Sequence, residues 1–509
     1  MVEGPRTWTT AALVFAWALA ACDAQREPAQ RPCDVTLTGP AWVVEGDPVH
    51  IAIACATGRE LPSDLAIGGL PPGAEVDASA GEIRWTTGPA DAGVYEIVAR
   101  VPVEPSEKKF TLGVADRFDA PGNTPPDPAR YTEEYGLPVF HLSVPGIISD
   151  LEYTPAVLTY RGHAFDVQVR YRGNKSLLFP KKSFTIDFPN EHFSDPALGF
   201  FDRKKILLVT TFDDQSYLRD RLALDLWKKL GGPGRIWVQT ASAVLFLNGE
   251  YFGLYTMSEK IAGQVLSRAG LDGDGNLYQA KFGAANFYTY DPLTGLPKIT
   301  WHDGYTKEEG FPLDGEPGAY DDLDAFVRFV VESDDATFVA QLPGLIDVDE
   351  YRDWWALVML TLAIDSANHN SFHYHDPAGG PWRMTVWDCA QSLGQKTSTI
   401  RLNPSTPAEF TADNNLFRRL LLPPLEQATR GRLGDLVHQQ ISVADVLAMI
   451  DDYAQQDGEA ARRDQVRWSA EQIAFFGPRG RTGWATYDDE VAYVRQWVRD
   501  RWAYLQSTY

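Results

Sequence analysis

The stretch Ile364-Asp365-Ser366-Ala367-Asn368-His369-Asn370, taken with Val386-Trp387-Asp388, decides how most of this chain is read. Glu350–Ile364 has helical periodicity. Ser371–His375 and Trp382–Val386 flank the turn Asp376-Pro377-Ala378-Gly379-Gly380, the pattern of a β-hairpin. Asp and Asn are common in loops for turn reasons, so neither Asp365 nor Asn370 is informative alone. The order helix, D-x₄-N, hairpin, Asp is informative, because it brings two carboxylates and an amide to one sheet edge. Phosphoryl transfer needs a carboxylate near the acceptor hydroxyl and hard oxygen ligands for Mg²⁺.

The chain has 509 residues, 44% of them hydrophobic and 12% aromatic, which is ample for two or three packed domains. Its net charge of −23 argues against nucleic-acid binding and against docking on an anionic membrane surface. It suits a basic, Ser-rich protein substrate. Residues 1–22 read as a lipoprotein signal peptide: Arg6 precedes an apolar stretch from Ala11 to Ala21, too short to span a bilayer, and Leu19-Ala20-Ala21-Cys22 resembles a lipobox. Cys22 is thus the expected lipidation site, with an ordinary cleaved signal as the alternative. The expected location is exported and membrane-anchored, periplasmic or cell-surface. In an oxidising compartment Cys33 and Cys55 can pair, and Cys389 is then left as a small buried side chain.

Residues 23–32 read as a tether. Residues 33–115 carry short β-branched runs separated by turn signals such as Gly69-Leu70-Pro71-Pro72-Gly73, and resemble Ig-like repeats of bacterial surface proteins. Residues 116–135 are rich in Pro, Asp and Gly and read as a linker. From residue 136 to 509 strands come first and helices later. Val167, Val169 and Tyr171 alternate with Arg170 and Arg172; Lys182 to Phe188 alternates as well. Ser216–Leu230 reads as a helix capped by Ser216, and Asn248-Gly249 as a hairpin turn. The expected fold is α+β, with a small all-β sandwich ahead of the larger domain.

Over about residues 137–509 the chain resembles the CotH kinase family, named for spore-coat protein H. The resemblance rests on Arg170-Tyr171-Arg172-Gly173-Asn174-Lys175-Ser176, Pro180-Lys181-Lys182-Ser183-Phe184, Asp214-x-Ser216-x-x-Arg219-Asp220, Leu247 to Tyr255 with Glu259, Asp365 with His369-Asn370, Trp387-Asp388, and Asn415 to Leu420. The D-x₄-N spacing is also that of a protein-kinase catalytic loop. The resemblance implies an atypical protein-kinase-like domain that uses ATP and Mg²⁺ or Mn²⁺ to phosphorylate Ser or Thr of secreted or coat proteins.

The resemblance further implies Asp365 as catalytic base and Asp388 and Asn370 as metal ligands. Lys182, which shares a strand face with Phe184 and Ile186, is the candidate phosphate-binding lysine. Arg172 and Lys175 on the loop between the two alternating strands, and Glu259 after the hairpin, complete the candidate nucleotide contacts. Arg219 is expected to pair with Asp220 or Asp214. His373 and His375 share a hairpin face but lack further zinc ligands nearby. Two positions depart from the family pattern: Ala390 stands where a second aspartate usually follows Trp-Asp, and Gln279 follows Leu277-Tyr278 where a lysine is common, with Lys281 two positions on. The first departure keeps a pseudokinase acting as a surface binding module open as an alternative, and the same ligands would equally serve a nucleotidyl-type transferase acting on protein.

Overall fold

The computed structural model describes residues 32–102, 106–292, 294–396, 400–481 and 483–509. The signal-peptide stretch, Cys22 and residues 23–31 of the tether lie outside the described residues. Two compact units are formed, one from the residues up to Pro40 with Val49–Trp85 and Glu96–Thr111, the other from Ala41–Pro48, Thr86–Tyr95 and Leu112–Tyr509.

An N-terminal sheet region precedes the larger domain. One four-stranded sheet is built from Val35–Thr38, Pro48–Cys55, Glu82–Thr86 and Glu75–Asp77 in that spatial order, and a second from Trp42–Val44, Ser106–Ala115, Gly93–Val101 and Ala66–Gly68. Val49, Ile51, Ile53 and Cys55 are buried while their neighbours are exposed, the period-two pattern of a sheet with one covered face. Cys33 and Cys55 form a disulfide, with Cα atoms 5.1 Å apart.

The second unit contains a closed barrel. Its strands are β1 (Leu137–Ser143), β2 (Thr154–Tyr160), β3 (His163–Arg172), β4 (Ser183–Asp187), β5 (Lys205–Thr210), β6 (Thr240–Leu247) and β7 (Glu250–Glu259). They pair in the order β2-β3-β4-β5-β7-β6-β1, and β1 closes the ring on β2. The β1–β6 pairing is parallel and the others are antiparallel. Asn248 and Gly249 both adopt positive φ between β6 and β7, as a tight primed turn requires.

Side chains fill the barrel interior. Val169, Phe184, Ile186, Leu208, Leu245 and Met257 belong to one buried cluster. The registers Val169↔Ile186, Phe184↔Leu208 and Leu208↔Met257 put them on one face. The opposite face carries Arg172, Ser183, Leu207, Val209 and Thr256.

The helical half packs around a four-stranded antiparallel sheet: β9 (Tyr305–Glu309), β8 (Asn276–Ala280), β10 (Ser371–His375) and β11 (Arg383–Val386) in spatial order. The helices that matter for the site are α1 (Arg219–Leu230), α2 (Val348–Thr361), α3 (Val443–Phe476) and α4 (Tyr487–Thr508). Ser216 does not cap α1. Asp214 accepts the backbone N–H groups of Ser216 and Arg219, at 2.9 and 3.0 Å, and Ser216 Oγ donates to the same carboxylate at 2.6 Å. Arg219 pairs with Asp214 and, across the fold, with Glu490 of α4, both at 2.5 Å. It does not use Asp220.

Residues 116–135, expected as a linker, pack into this second unit. Tyr131 is fully buried, accepts the Asp116 N–H at 3.2 Å and donates to Glu134 at 2.6 Å. Turn-rich composition does not distinguish a tether from a loop pinned by one aromatic anchor. Among the described residues no helix is long and apolar enough to cross a membrane.

Candidate active site

The helix α2 ends where Leu362 enters the left-handed region, with φ 50°. The chain then makes a short helical turn, Ile364–Ala367, that carries Asp365. Two buried side chains hold this turn: Trp354 Nε1 donates to Ser366 O at 2.8 Å and Asn414 Nδ2 to Ala367 O at 2.6 Å. Asn370 follows with φ 57°. Its N–H donates to Ala280 O of β8 at 2.8 Å, and its carbonyl accepts Trp387 N–H at 2.9 Å. Asn370 Nδ2 also donates to the Asp388 carbonyl at 3.3 Å. The hairpin β10–β11 therefore returns Asp388 to the point where Asn370 leaves the sheet.

Asp388 also has positive φ, at 51°. Asp and Asn tolerate this conformation better than other residues with a side chain, and such positions concentrate at functional sites. The next N–H, of Cys389, donates to Asp220 Oδ1 at 2.7 Å. Asp220 stands in the first turn of α1, where the helix dipole favours an anion. Arg172, at the end of β3, lies with its guanidinium carbon 5.5 Å from the centre of the Trp387 ring.

Asp365, Asn370, Asp388, Asp220 and Asp213 line one cavity of about 370 Å³. That volume lies within the range of roughly 300–1,000 Å³ usual for ligand clefts. The Asp388 side chain is open to solvent yet sits on a concave floor where protein atoms surround it. Its carboxyl pKa is raised by loss of hydration, with Asp365 adding repulsion and Arg172 opposing the shift. Burial pushes Asp220 up to about 7, and the neighbouring Asp388 adds to the effect. Asp213 also rises to about 7, through burial and the charges of Asp214 and Asp388. Burial lowers His369 despite the nearby carboxylates. The floor thus holds more negative charge than Arg172 can balance. Arg172, Lys175, Lys281 and Arg479 also line the cavity.

Such an under-neutralised donor set fits a divalent cation. Among the described residues no three His, Cys, Asp or Glu side chains form a group that could hold a metal ion alone. Mg²⁺ does not need one, since it binds through one or two carboxylates together with substrate phosphates and water.

The structure moves two candidates away from the cavity. Lys182 precedes β4, donates to Leu177 O at 2.5 Å and is not among the cavity-lining residues. The buried lysine is Lys181, which packs outside the barrel against Asp464 of α3 at 2.5 Å and also lies outside the cavity lining. The expectation failed because Phe184 and Ile186 face the barrel interior, whereas the cavity lies on the Ser183 face. Glu259 shares the Met257 side of β7 and is buried between Arg203 and Arg268, at 2.7 and 2.6 Å. It lines no part of the cavity. His373 is buried between Tyr351 and Ser371, and His375 pairs with Asp322 at 2.8 Å. Asp220 and Asp213 were not singled out for this role from the sequence. The available signal for Asp220 was its place as the last residue of the D-x-S-x-x-R-D motif, in the first turn of a helix.

The family model described as CotH kinase protein matches residues 169–505, more than half of the chain. The chain belongs to the CotH kinase protein family. It is also 27% identical over 248 residues to the inner spore coat protein H of Bacillus subtilis (strain 168). That match covers 49% of this chain and 64% of the relative, so the chain spans somewhat less than two thirds of that protein. The CotH match takes in every cavity-lining residue described above, from Arg172 to Arg479.

Proposed function

We propose that the cavity binds ATP with a divalent cation and transfers the γ-phosphoryl group to a Ser or Thr hydroxyl of a secreted or surface protein. The carrying observation is the convergence of Asp365, Asn370 and Asp388 on one cavity whose acidic floor also holds Asp213 and Asp220. Asp365 accepts the proton of the acceptor hydroxyl as its oxygen bonds to the γ-phosphorus and the bond to the bridging oxygen of ADP breaks. Asp388 and the Asn370 amide oxygen would hold the cation, which when bound would offset the charge of the phosphates. Arg172, Lys175 and Lys281 supply the positive charge that phosphate oxygens need.

Ala390 lines the cavity where the family has a second aspartate, and this favours a pseudokinase as the second reading. Against it stands Asp220, whose carboxylate already bonds the Cys389 N–H and so supplies an acid beside that position. The strongly acidic chain suits a basic, Ser-rich acceptor. Lipidation at Cys22 and an Ig-like spacer would display the catalytic unit at a membrane surface; Cys22→Ser should then release the protein to the soluble fraction.

Transfer is tested with γ-labelled ATP and Mg²⁺, following label on the protein itself or on a basic Ser-rich acceptor. Wild type should transfer, and Asp365→Asn should bind Mg·ATP yet transfer at least ~10²-fold more slowly. An acceptor mass gain of a nucleotidyl group would support nucleotidyl transfer. Normal turnover by Asp365→Asn would place the base elsewhere.

A further inference from the structure

The cavity has two chemically different ends. One is the carboxylate floor. The other is apolar and is lined by Leu178 and Phe179 from the loop after β3 and by Phe475 and Phe476 from the end of α3. The geometry points to this apolar end as the slot for the purine base of the nucleotide. The inference rests on the nucleotide reading above and adds to it where the base sits and which side chains hold it.

Leu178 is 68% exposed although it is a large apolar residue, and it lines the cavity. It has open space in front of it that an apolar ligand face would cover. Phe179 is half-buried and is held by three rings, Phe475 and Phe476 in T-shaped contacts at 5.4 and 5.6 Å and Phe212 at 5.4 Å, while it still lines the cavity. Phe476 is 2% exposed and is fixed against Phe212, which in turn meets Trp468 edge-on. The wall behind the slot is therefore rigid. Arg479 lays its guanidinium 3.9 Å from the centre of the Phe475 ring. A planar cation held on an aromatic ring presents a second flat surface on which a base can stack.

A phosphate-only ligand would gain nothing from such a wall. A base gains stacking on rings and on guanidinium without needing a matching hydrogen-bond pattern. Arg172 and Lys175 line the same cavity, as phosphates running between a base here and a metal at Asp388 would need.

The test is calorimetric titration of the full chain with Mg·ATP and, separately, with magnesium tripolyphosphate. Wild type, Leu178→Ala and Phe475→Leu are compared; the last keeps apolar volume and removes the π face. Wild type should bind Mg·ATP about tenfold or more tightly than tripolyphosphate. Both variants should lose most of that ratio while holding tripolyphosphate as wild type does, which also reports that they are folded. Equal affinity of wild type for the two ligands, or an unchanged ratio in both variants, overturns the base slot and leaves the phosphate and metal end standing. A loss of tripolyphosphate affinity equal to the loss for ATP assigns these residues a structural role and also overturns the slot. Failure of wild type to bind either ligand overturns the slot together with the nucleotide reading.

Discussion

The two faces of the barrel come from the same strands. In β4, Phe184 and Ile186 turn inward to a closed apolar cluster, while Ser183, their neighbour in sequence, lines the cavity. In β3, Val169 lies inside and Arg172 outside, beside Trp387 and Asp388. The inner face fills the barrel and fixes strand positions. The outer face holds charges whose hydration has been removed without full neutralisation. One face stores stability and the other spends part of it on a binding site.

A paired charge outside the cavity gives the largest expected effect. Asp464 reaches from α3 to Lys181, Leu254 N–H and Tyr217 OH. Gly253 permits this approach, since a Cβ there would lie 2.0 Å from Asp464 Oδ1. Asp464→Ala leaves Lys181 buried and unpaired and should cost about 3–5 kcal/mol by urea unfolding. A loss below ~1 kcal/mol would show that water reaches the lysine and that α3 is not locked to the barrel.

Inside the barrel, Ile186→Ala should cost about 2–5 kcal/mol through lost burial and the cavity left behind. The same unfolding measurement should leave Mg·ATP affinity at 25 °C little changed in the folded fraction. A large affinity loss with little destabilisation would mean that the interior, rather than the outer face, shapes the site.

The third effect is a pH slope. The Asp220 carboxyl rises from 3.8 to about 7 on folding, so the folded state holds its proton more tightly than the unfolded state does. Stability without ligand should therefore fall as pH rises from about 4 to about 7. Asp220→Asn should reduce that fall, with Asp213 keeping its own share, when melting temperatures are compared at pH 4.5 and 7.5. Identical slopes in wild type and variant would show that the floor is better hydrated than its geometry implies.

Much of this was legible in the sequence. D-x₄-N, the hairpin and Asp388 were readable because turn residues and strand alternation fix their order, and the structure brings them together. The Asn248-Gly249 hairpin was readable for the same reason. Closure of the barrel was not, because it depends on the parallel β1–β6 pairing, Val139 with Val244, between strands far apart in the sequence. Lys182 was misplaced because alternation says which residues share a face but not which face holds the cavity. Glu259 failed likewise, and its two arginine partners lie far apart in sequence. Asp220 was missed because its meaning depends on Cys389, 169 positions away.

Everything proposed for the cavity depends on Asp388 organising a metal-nucleotide site. The most direct measurement is the thermal shift of wild type and Asp388→Ala with ATP, with and without Mg²⁺. Wild type should be stabilised only when both are present, by about 2.7 kcal/mol at a hundredfold excess over Kd. Asp388→Ala should fold as wild type does and show no such shift. A full Mg²⁺-dependent shift in well-folded Asp388→Ala would contradict the account.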